Sequence, residues 1–323
     1  MNDFISIRDL DPASIKHLLE LAGHMKATPA AYAYALKGKT LAMLFEKPSL
    51  RTRVTFDVAM QELGGHSLYL GPEEISIGRR ESVHDVAKNL EHMVDGIMIR
   101  TFAHRTVEEL ASNSCVPVIN GLSDYSHPCQ ALADYLTILE IKGRIQGLKI
   151  AYLGDGNNVA RSLMFAGALL GAHVFIATPP GYSPDDEAVN WSQARAQQTG
   201  SCCTITHNPG DAASDADVIY TDVWASMGQE NETVERARFF RDFRVDMGLM
   251  RLARPDAMFL HCLPAHRGLE VTDEVIDSSH SFVFQQAENR LHTQKAVLYE
   301  TMYNVPERML RHDVSVASLA HQH

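Results

Sequence analysis

The sequence predicts an α/β protein of two doubly wound parallel-sheet domains joined by helices. Three observations carry that expectation. Between Thr40 and Gln130, short apolar runs alternate with amphipathic stretches, strand then helix, a pattern that indicates a parallel sheet. A joint at residues 141–147 interrupts the alternation, and a second one opens at Leu148. A chain of 323 residues with 45% apolar content also has material for two cores. The expected domains are 1–140 and 147–287, with a C-terminal helix at about 288–323 long enough to cross back and complete the first.

Taken in order, residues 13–26 carry Ile15, Leu18, Leu19 and Ala22 on one face and form a packing helix. Residues 30–39 form a short helix and turn before the first strand, Thr40 to Phe45. Pro48 stops that strand because it has no N–H to give. Ser49 then caps a helix whose Val54, Val58, Ala59 and Leu63 recur at helical spacing until Gly64-Gly65 ends it. His66 to Leu70 is a second strand, Gly71 to Arg80 a polar loop, and Val83, Val86, Ala87, Leu90 and Met93 the apolar face of a further helix. Gly96 to Arg100 and Val116 to Asn120 are the third and fourth strands, with a helix near 105–113 between them. Pro128 sits in the first turn of the next helix, which buries Ala131, Leu132, Tyr135, Leu136 and Leu139. The second alternation places strands at Leu148–Leu153, His173–Ala177, Cys202–Thr206, Val218–Tyr220 and Met258–His261, with a sixth at Phe282–Phe284. Its helices lie near 158–170, 184–198 and 230–239, and a final helix spans about 288–304.

Composition excludes several classes. A net charge of −11 argues against a general basic surface for nucleic acid, though not against a local anion site. No run of 18 apolar residues exists, so no membrane span is expected. The N-terminus lacks a signal-peptide pattern. Five cysteines without Cys-x-x-Cys spacing fit a reduced cytoplasmic protein better than a disulfide or zinc framework, and no metal cluster is apparent.

Ligands of open α/β sheets sit beyond the carboxyl ends of the strands, so residues there are the candidates. Ser49, Leu50, Arg51, Thr52 and Arg53 occupy a helix cap and first turn. The unpaired N–H groups and positive dipole end already present there disfavour arginine unless an anion joins it, so the segment reads as a phosphate socket. Arg100 closes an otherwise apolar strand; alone it reads as an arginine reaching water. His127 and Gln130 stand at a helix start as a cap or as donors to a carbonyl or amide. Gly154-Asp155-Gly156-Asn157-Asn158 superficially suggests a dinucleotide turn. It fails at Val159, where glycine or alanine is required, and at Thr178-Pro179-Pro180, where an acid should hold ribose. Asn157 and Asn158 instead suit a carboxylate, or the turn holds no ligand. Asp222 ends a strand as a turn residue or an ammonium partner. His261 and Cys262 point to opposite faces of their strand, which is poor geometry for a thiol–imidazole dyad.

Ser49-x-Arg51-Thr52-Arg53 resembles the carbamoyl-phosphate motif Ser-Thr-Arg-Thr-Arg of the aspartate and ornithine carbamoyltransferases, with Leu50 in place of the middle threonine. His127-Pro-x-Gln130 is similar to a second motif of that family. Asp222-x-x-x-Ser226-Met227-Gly228 and His261-Cys262-Leu263-Pro264 are similar to motifs of its ornithine enzymes, and Glu288-Asn289-Arg290 to a further segment. The resemblance implies carbamoyl transfer from carbamoyl phosphate to the δ-amino group of L-ornithine, giving L-citrulline and phosphate without a cofactor, at a site in the interdomain cleft. It implies that Ser49, Leu50, Arg51, Thr52, Arg53, Ser76, Arg100, His127, Gln130, Cys262, Leu263 and Arg290 bind carbamoyl phosphate. It implies that His127, Thr52 and Arg290 polarise the carbamoyl oxygen while Gln130 binds the amide, and that Arg51, Thr52, Arg100, His127, Cys262 and Arg290 are the catalytic set. It further implies that Asn158, Asp222, Ser226 and Met227 hold ornithine, with Cys262 and Leu263 beside its side chain. Ser76 stands where the family usually has glutamine, in a loop that reaches a neighbouring subunit. A homotrimer or a multiple of trimers follows, with small-molecule substrates. Putrescine, aspartate or a modified ornithine as acceptor, and an inactive ligand-binding paralogue, stay open.

Overall fold

The structure is a computed structural model describing residues 1–75, 77–78, 80–225 and 230–303. The first half runs α1 (Pro12–Ala27), β1 (Thr40–Phe45), α2 (Leu50–Glu62), β2 (His66–Leu70), α3 (Pro72–Ile75), α4 (Val83–Glu91), β3 (Gly96–Arg100), α5 (His104–Asn113), β4 (Val118–Leu122) and α6 (Pro128–Lys142). The second runs β5 (Lys149–Leu153), α7 (Asn158–Leu170), β6 (His173–Ala177), α8 (Asp186–Thr199), β7 (Cys203–Thr206), α9 (Pro209–Ala213), β8 (Val218–Thr221), α10 (Thr233–Phe239), α11 (Met247–Met250), β9 (Met258–His261), α12 (Asp273–Ile276) and α13 (Val283–Met302). The strand orders are β2-β1-β3-β4 and β7-β6-β5-β8-β9, and all neighbours pair in parallel. Two parallel sheets flanked by helices are what the alternation predicts.

Local chemistry fixes the helix starts that matter. The Ser49 hydroxyl accepts from the Thr52 N–H at 3.3 Å, and the Asn157 side chain accepts from the N–H groups of Val159 and Ala160. A cap of this kind is worth about 1 kcal/mol. At Gly156 a Cβ would lie 2.2 Å from the Pro184 nitrogen, so only glycine lets the turn after β5 pass beneath that backbone.

Apolar packing then joins the halves. One buried cluster runs from Ile15 and Phe56 through Tyr135 to Phe165 and Tyr220, while separate clusters cover the outer face of each sheet. The helix α13 packs on α1, α2 and α6, although it follows the second sheet in the chain. In each half the order reverses beside the first strand. The crevices therefore open where β1 and β3 end, at Pro48-Ser49 and Arg100, and where β5 and β8 end, at Gly154–Asn158 and Asp222.

Several expectations need correction. Phe282–Phe284 is no strand: Ser281 makes a single bridge to Phe259, the Phe282 N–H bonds the Phe259 carbonyl, and the chain turns into α13 at Val283. Arg290 therefore lies two turns inside that helix. Pro117 precedes the fourth strand, which spans Val118–Leu122 rather than Val116–Asn120. The buried face of α2 is Thr52, Phe56, Ala59 and Met60, and Val54 is exposed. Met93 is exposed because α4 has already ended at Glu91. Residues 30–39 give only a short 3-10 turn at Pro29–Tyr32.

Candidate active site

The two crevices face one another across a single cavity of about 1010 Å³. Ser49, Leu50, Arg51, Arg100 and His127 line it from the first sheet's side. Asn158, Asp222, Cys262 and Leu263 line it from the second, and Arg290 reaches it from α13. Residues separated by as many as 241 positions along the chain thus meet where the strands end.

The first wall is cationic. Arg290 is buried; its Nη1 donates to Gln130 Oε1 at 2.9 Å and its Nη2 to Thr52 Oγ1 at 3.0 Å. One guanidinium thereby joins the first turn of α2 to α6. Arg100 is only 6% exposed, so it is not an arginine reaching water. Burial, then the nearby Arg290 and Arg51, push it down to about 9. Burial also lowers Arg51, opposed by Cys262 and Asp222, and burial lowers Arg290. Clustered, desolvated guanidinium groups of this kind are compensated by an anion.

His127 shares that wall. Its backbone N–H donates to Ser162 Oγ at 2.8 Å, and its Nδ1 has no hydrogen-bond partner among the described residues. Burial, Arg290, Arg100 and Arg51 hold the imidazole well below its usual range, so it is neutral at physiological pH. A neutral ring in this position supplies a hydrogen bond without a charge.

The second wall is anionic and more ordered. Asp222 Oδ1 accepts from the Cys262 thiol at 2.9 Å, and Oδ2 accepts from Asn157 Nδ2 at 2.8 Å. Burial and then Asp222 push the Cys262 thiol well up, making it a donor rather than a thiolate. Because β9 ends at His261, the side chains of His261 and Cys262 do not point to opposite faces as expected, but the imidazole is engaged elsewhere. Its Nε2 bonds buried Glu270 at 3.2 Å, and its Nδ1 accepts from the Leu263 N–H at 2.9 Å. Asp222, His261 and Cys262 bring one ligand atom each within 4.8 Å of one another, but both His261 nitrogens are already engaged. Leu263 holds a left-handed φ of 57° next to this bond, which presents its side chain at the cavity.

Some candidates fall elsewhere. Arg53 does not line the cavity; its guanidinium stacks over the Tyr69 ring at 4.0 Å. Gln130 and Thr52 sit behind Arg290 rather than at the cavity surface. The Asn158 amide donates to the Ser123 carbonyl at 2.5 Å, stitching α7 to the loop after β4. Ser76, Ser226 and Met227 lie outside the described residues, as does the C-terminal segment beyond Tyr303. Sequence reasoning took Asn157 for a ligand amide, whereas here it caps α7 and orients Asp222. It missed Glu270, and also Arg236, whose Nη1 bonds Asp155 at 2.9 Å and the Trp224 carbonyl at 3.0 Å beside the cavity. Only an arginine inside the short α10 marked that contact in the sequence.

A sequence model described as the aspartate/ornithine carbamoyltransferase carbamoyl-P binding domain matches residues 2–140, and one described as the Asp/Orn binding domain matches residues 146–301. The chain belongs to the aspartate/ornithine carbamoyltransferase family. Within it, the chain is 60% identical over 263 residues to the anabolic ornithine carbamoyltransferase of Pyrococcus furiosus, covering 81% of this chain and 84% of that one. It is 53% identical over 301 residues to the ornithine carbamoyltransferase of Bacillus subtilis, covering 93% and 94%. A solved structure of the Pyrococcus furiosus enzyme superposes with a TM-score of 0.92 at 54% identity, covering 94% of this chain and 98% of that one.

The cationic wall makes a prediction about stability. Arginines whose folded pKa lies below the unfolded value cost stability while charged, at every pH below that folded value. An anion among them removes part of that cost. Inorganic phosphate should raise the Tm of the parent, by about 2.7 kcal/mol of stabilisation at a hundredfold excess over its Kd. Thermal denaturation of Arg51→Ala should show little such shift; an equal shift in both would place phosphate elsewhere.

Proposed function

We propose that the protein transfers the carbamoyl group of carbamoyl phosphate to the δ-amino group of L-ornithine, giving L-citrulline and phosphate. One observation carries this reading: a buried arginine cluster and a carboxylate–thiol pair face each other across one cavity. The first suits a phosphoryl dianion and the second an ammonium group. The relatives named ornithine carbamoyltransferase support it.

In this reading Ser49, Arg51 and Arg100 hold the phosphate, with the N–H groups that open α2, and Thr52 acts from behind by holding Arg290. His127 and Arg290 polarise the carbamoyl oxygen, and Gln130 acts from behind Arg290. Asp222 fixes the α-amino group of ornithine, Asn158 serves its carboxylate end, and Cys262 and Leu263 border its side chain. The Asp222 carboxylate repels a second acid, which disfavours aspartate as acceptor. The neutral δ-amine attacks the carbamoyl carbon, a C–N bond forms, and a tetrahedral species collapses by breaking the bond to the phosphate oxygen. Phosphate leaves with that electron pair, and the proton lost from the amine ends on it. Catalysis is then positioning and charge stabilisation, without a covalent enzyme intermediate and without a cofactor.

The same reading assigns residues 1–140, completed by the C-terminal helix, to carbamoyl phosphate and 147–287 to ornithine. The packing of α13 on α1, α2 and α6 supports that division. Free cysteines throughout support a reducing compartment, the cytoplasm. The acidic net charge speaks against nucleic acid as a partner. No helix among the described residues is long and apolar enough to cross a membrane. A homotrimer, or a multiple of it, completes the proposal, and exposed Leu50 and Val54, one turn apart on α2, offer an apolar face for it.

Three measurements bear on this. With carbamoyl phosphate and ornithine, Arg51→Ala should lower citrulline formation by about 100–1000-fold or more while its circular dichroism stays parental; near-normal turnover removes the phosphate role. Cys262→Ser should keep kcat within about tenfold of the parent, because loss of a true nucleophile costs on the order of a millionfold. Light scattering should give a mass three times that of the 35.9 kDa chain, or a multiple of that; a monomer rules the trimer out.

A further inference from the structure

Behind the cationic wall lies a carboxyl group that the reaction scheme leaves unused. Asp134, one turn after Gln130 on α6, is fully buried, in a helix whose residues 128–138 are all buried. Its Oδ1 accepts from Gln130 Nε2 at 2.8 Å, from Gln286 Nε2 at 2.6 Å and from the Tyr220 hydroxyl at 3.4 Å. Its Oδ2 has no hydrogen-bond partner among the described residues. A buried acid is costly, and one on an apolar helix face needs a reason beyond packing.

The bonds made by the far ends of the two glutamines supply that reason. An amide whose nitrogen is claimed must present its oxygen the other way. Gln130 Oε1 thereby meets Arg290 Nη1, and Gln286 Oε1 accepts from the His261 N–H at 2.9 Å, immediately before Cys262 and Leu263. The one oxygen of Asp134 sets both amides, the first on the side of the cationic wall and the second at the strand end that carries the thiol.

We infer that Asp134 is a positioning residue for carbamoyl transfer, whose Oδ1 locks Gln130 and Gln286 so that Arg290 and the Cys262-Leu263 backbone stand in register across the cavity. The inference rests on the function proposed above. Burial raises the carboxyl to about 7, against its hydrogen bonds and Arg290. Protonation at the partnerless Oδ2 leaves the acceptor Oδ1 in place. The role therefore belongs to the oxygen and not to the charge.

Two substitutions separate that role from a merely structural one. Asp134→Asn keeps the acceptor oxygen and should hold kcat near the parental value. Asp134→Ala removes it and leaves a polar space that water can fill; misplacing the carbamoyl-binding groups by about 1 Å should lower kcat on the order of 100-fold. Binding of inorganic phosphate, followed by its Tm shift, should match the parent in both, since Ser49, Arg51 and Arg100 do not touch Asp134. In a background lacking both Gln130 and Gln286 side-chain amides (Gln130→Ala with Gln286→Ala), Asp134→Ala should lose most of its effect on kcat. An Asn variant as slow as the Ala variant overturns the inference, and so does an Ala variant at parental kcat or one that loses phosphate binding in step with kcat. Should the Ala variant not fold, the Asn variant decides alone: parental kcat supports the acceptor role, and a drop to the level of Gln130→Ala overturns it. A parent that binds phosphate yet makes no citrulline from ornithine sinks the proposed function first, and this inference with it.

Discussion

Arg290 is the contact on which the site depends. It belongs to a helix that follows the second sheet, yet it bonds the first turn of α2 through Thr52 and the start of α6 through Gln130. Without it, the three segments that form the cationic wall would have no common partner. Its burial beside Arg100 and Arg51 is unfavourable without a counter-charge, and in the proposed function that charge density is what favours a doubly charged anion. Residual instability in a binding site is commonly the counterpart of affinity.

The second wall follows a different rule. Its central polar groups have protein partners: Asp222 with Cys262 and Asn157, His261 with Glu270 and Leu263. In the proposed function, an ammonium group entering this side exchanges hydrogen bonds rather than supplying a missing charge. The two walls therefore divide the work between electrostatics on one side and geometry on the other.

The interior strands and the two crevices were legible in the sequence because runs such as Thr40–Phe45 and His173–Ala177 match their strands end to end. Ser49 and Arg51 were legible because arginine beside a serine cap at a helix start breaks a local rule, whereas Arg100, read alone as an arginine reaching water, was legible only through the family resemblance. What stayed hidden depends on residues far apart in the chain. Nothing near Arg53 announces that Tyr69 takes its guanidinium, and nothing near Phe282 shows that its N–H serves β9 before the helix begins. Asp134 did break a rule, an acid on an apolar helix face, but its partners Gln286 and Tyr220 come from elements that only the fold brings together.

The placement of α13 also bears on the order in which the molecule is made. Helices α1, α2 and α6 leave the ribosome with their groove unfilled, and the element that fills it emerges only after the whole second sheet. The nascent first half must therefore wait with apolar surface open to solvent. The last long helix of the described chain both covers that surface and carries Arg290, so the same element closes the core and completes the cationic wall.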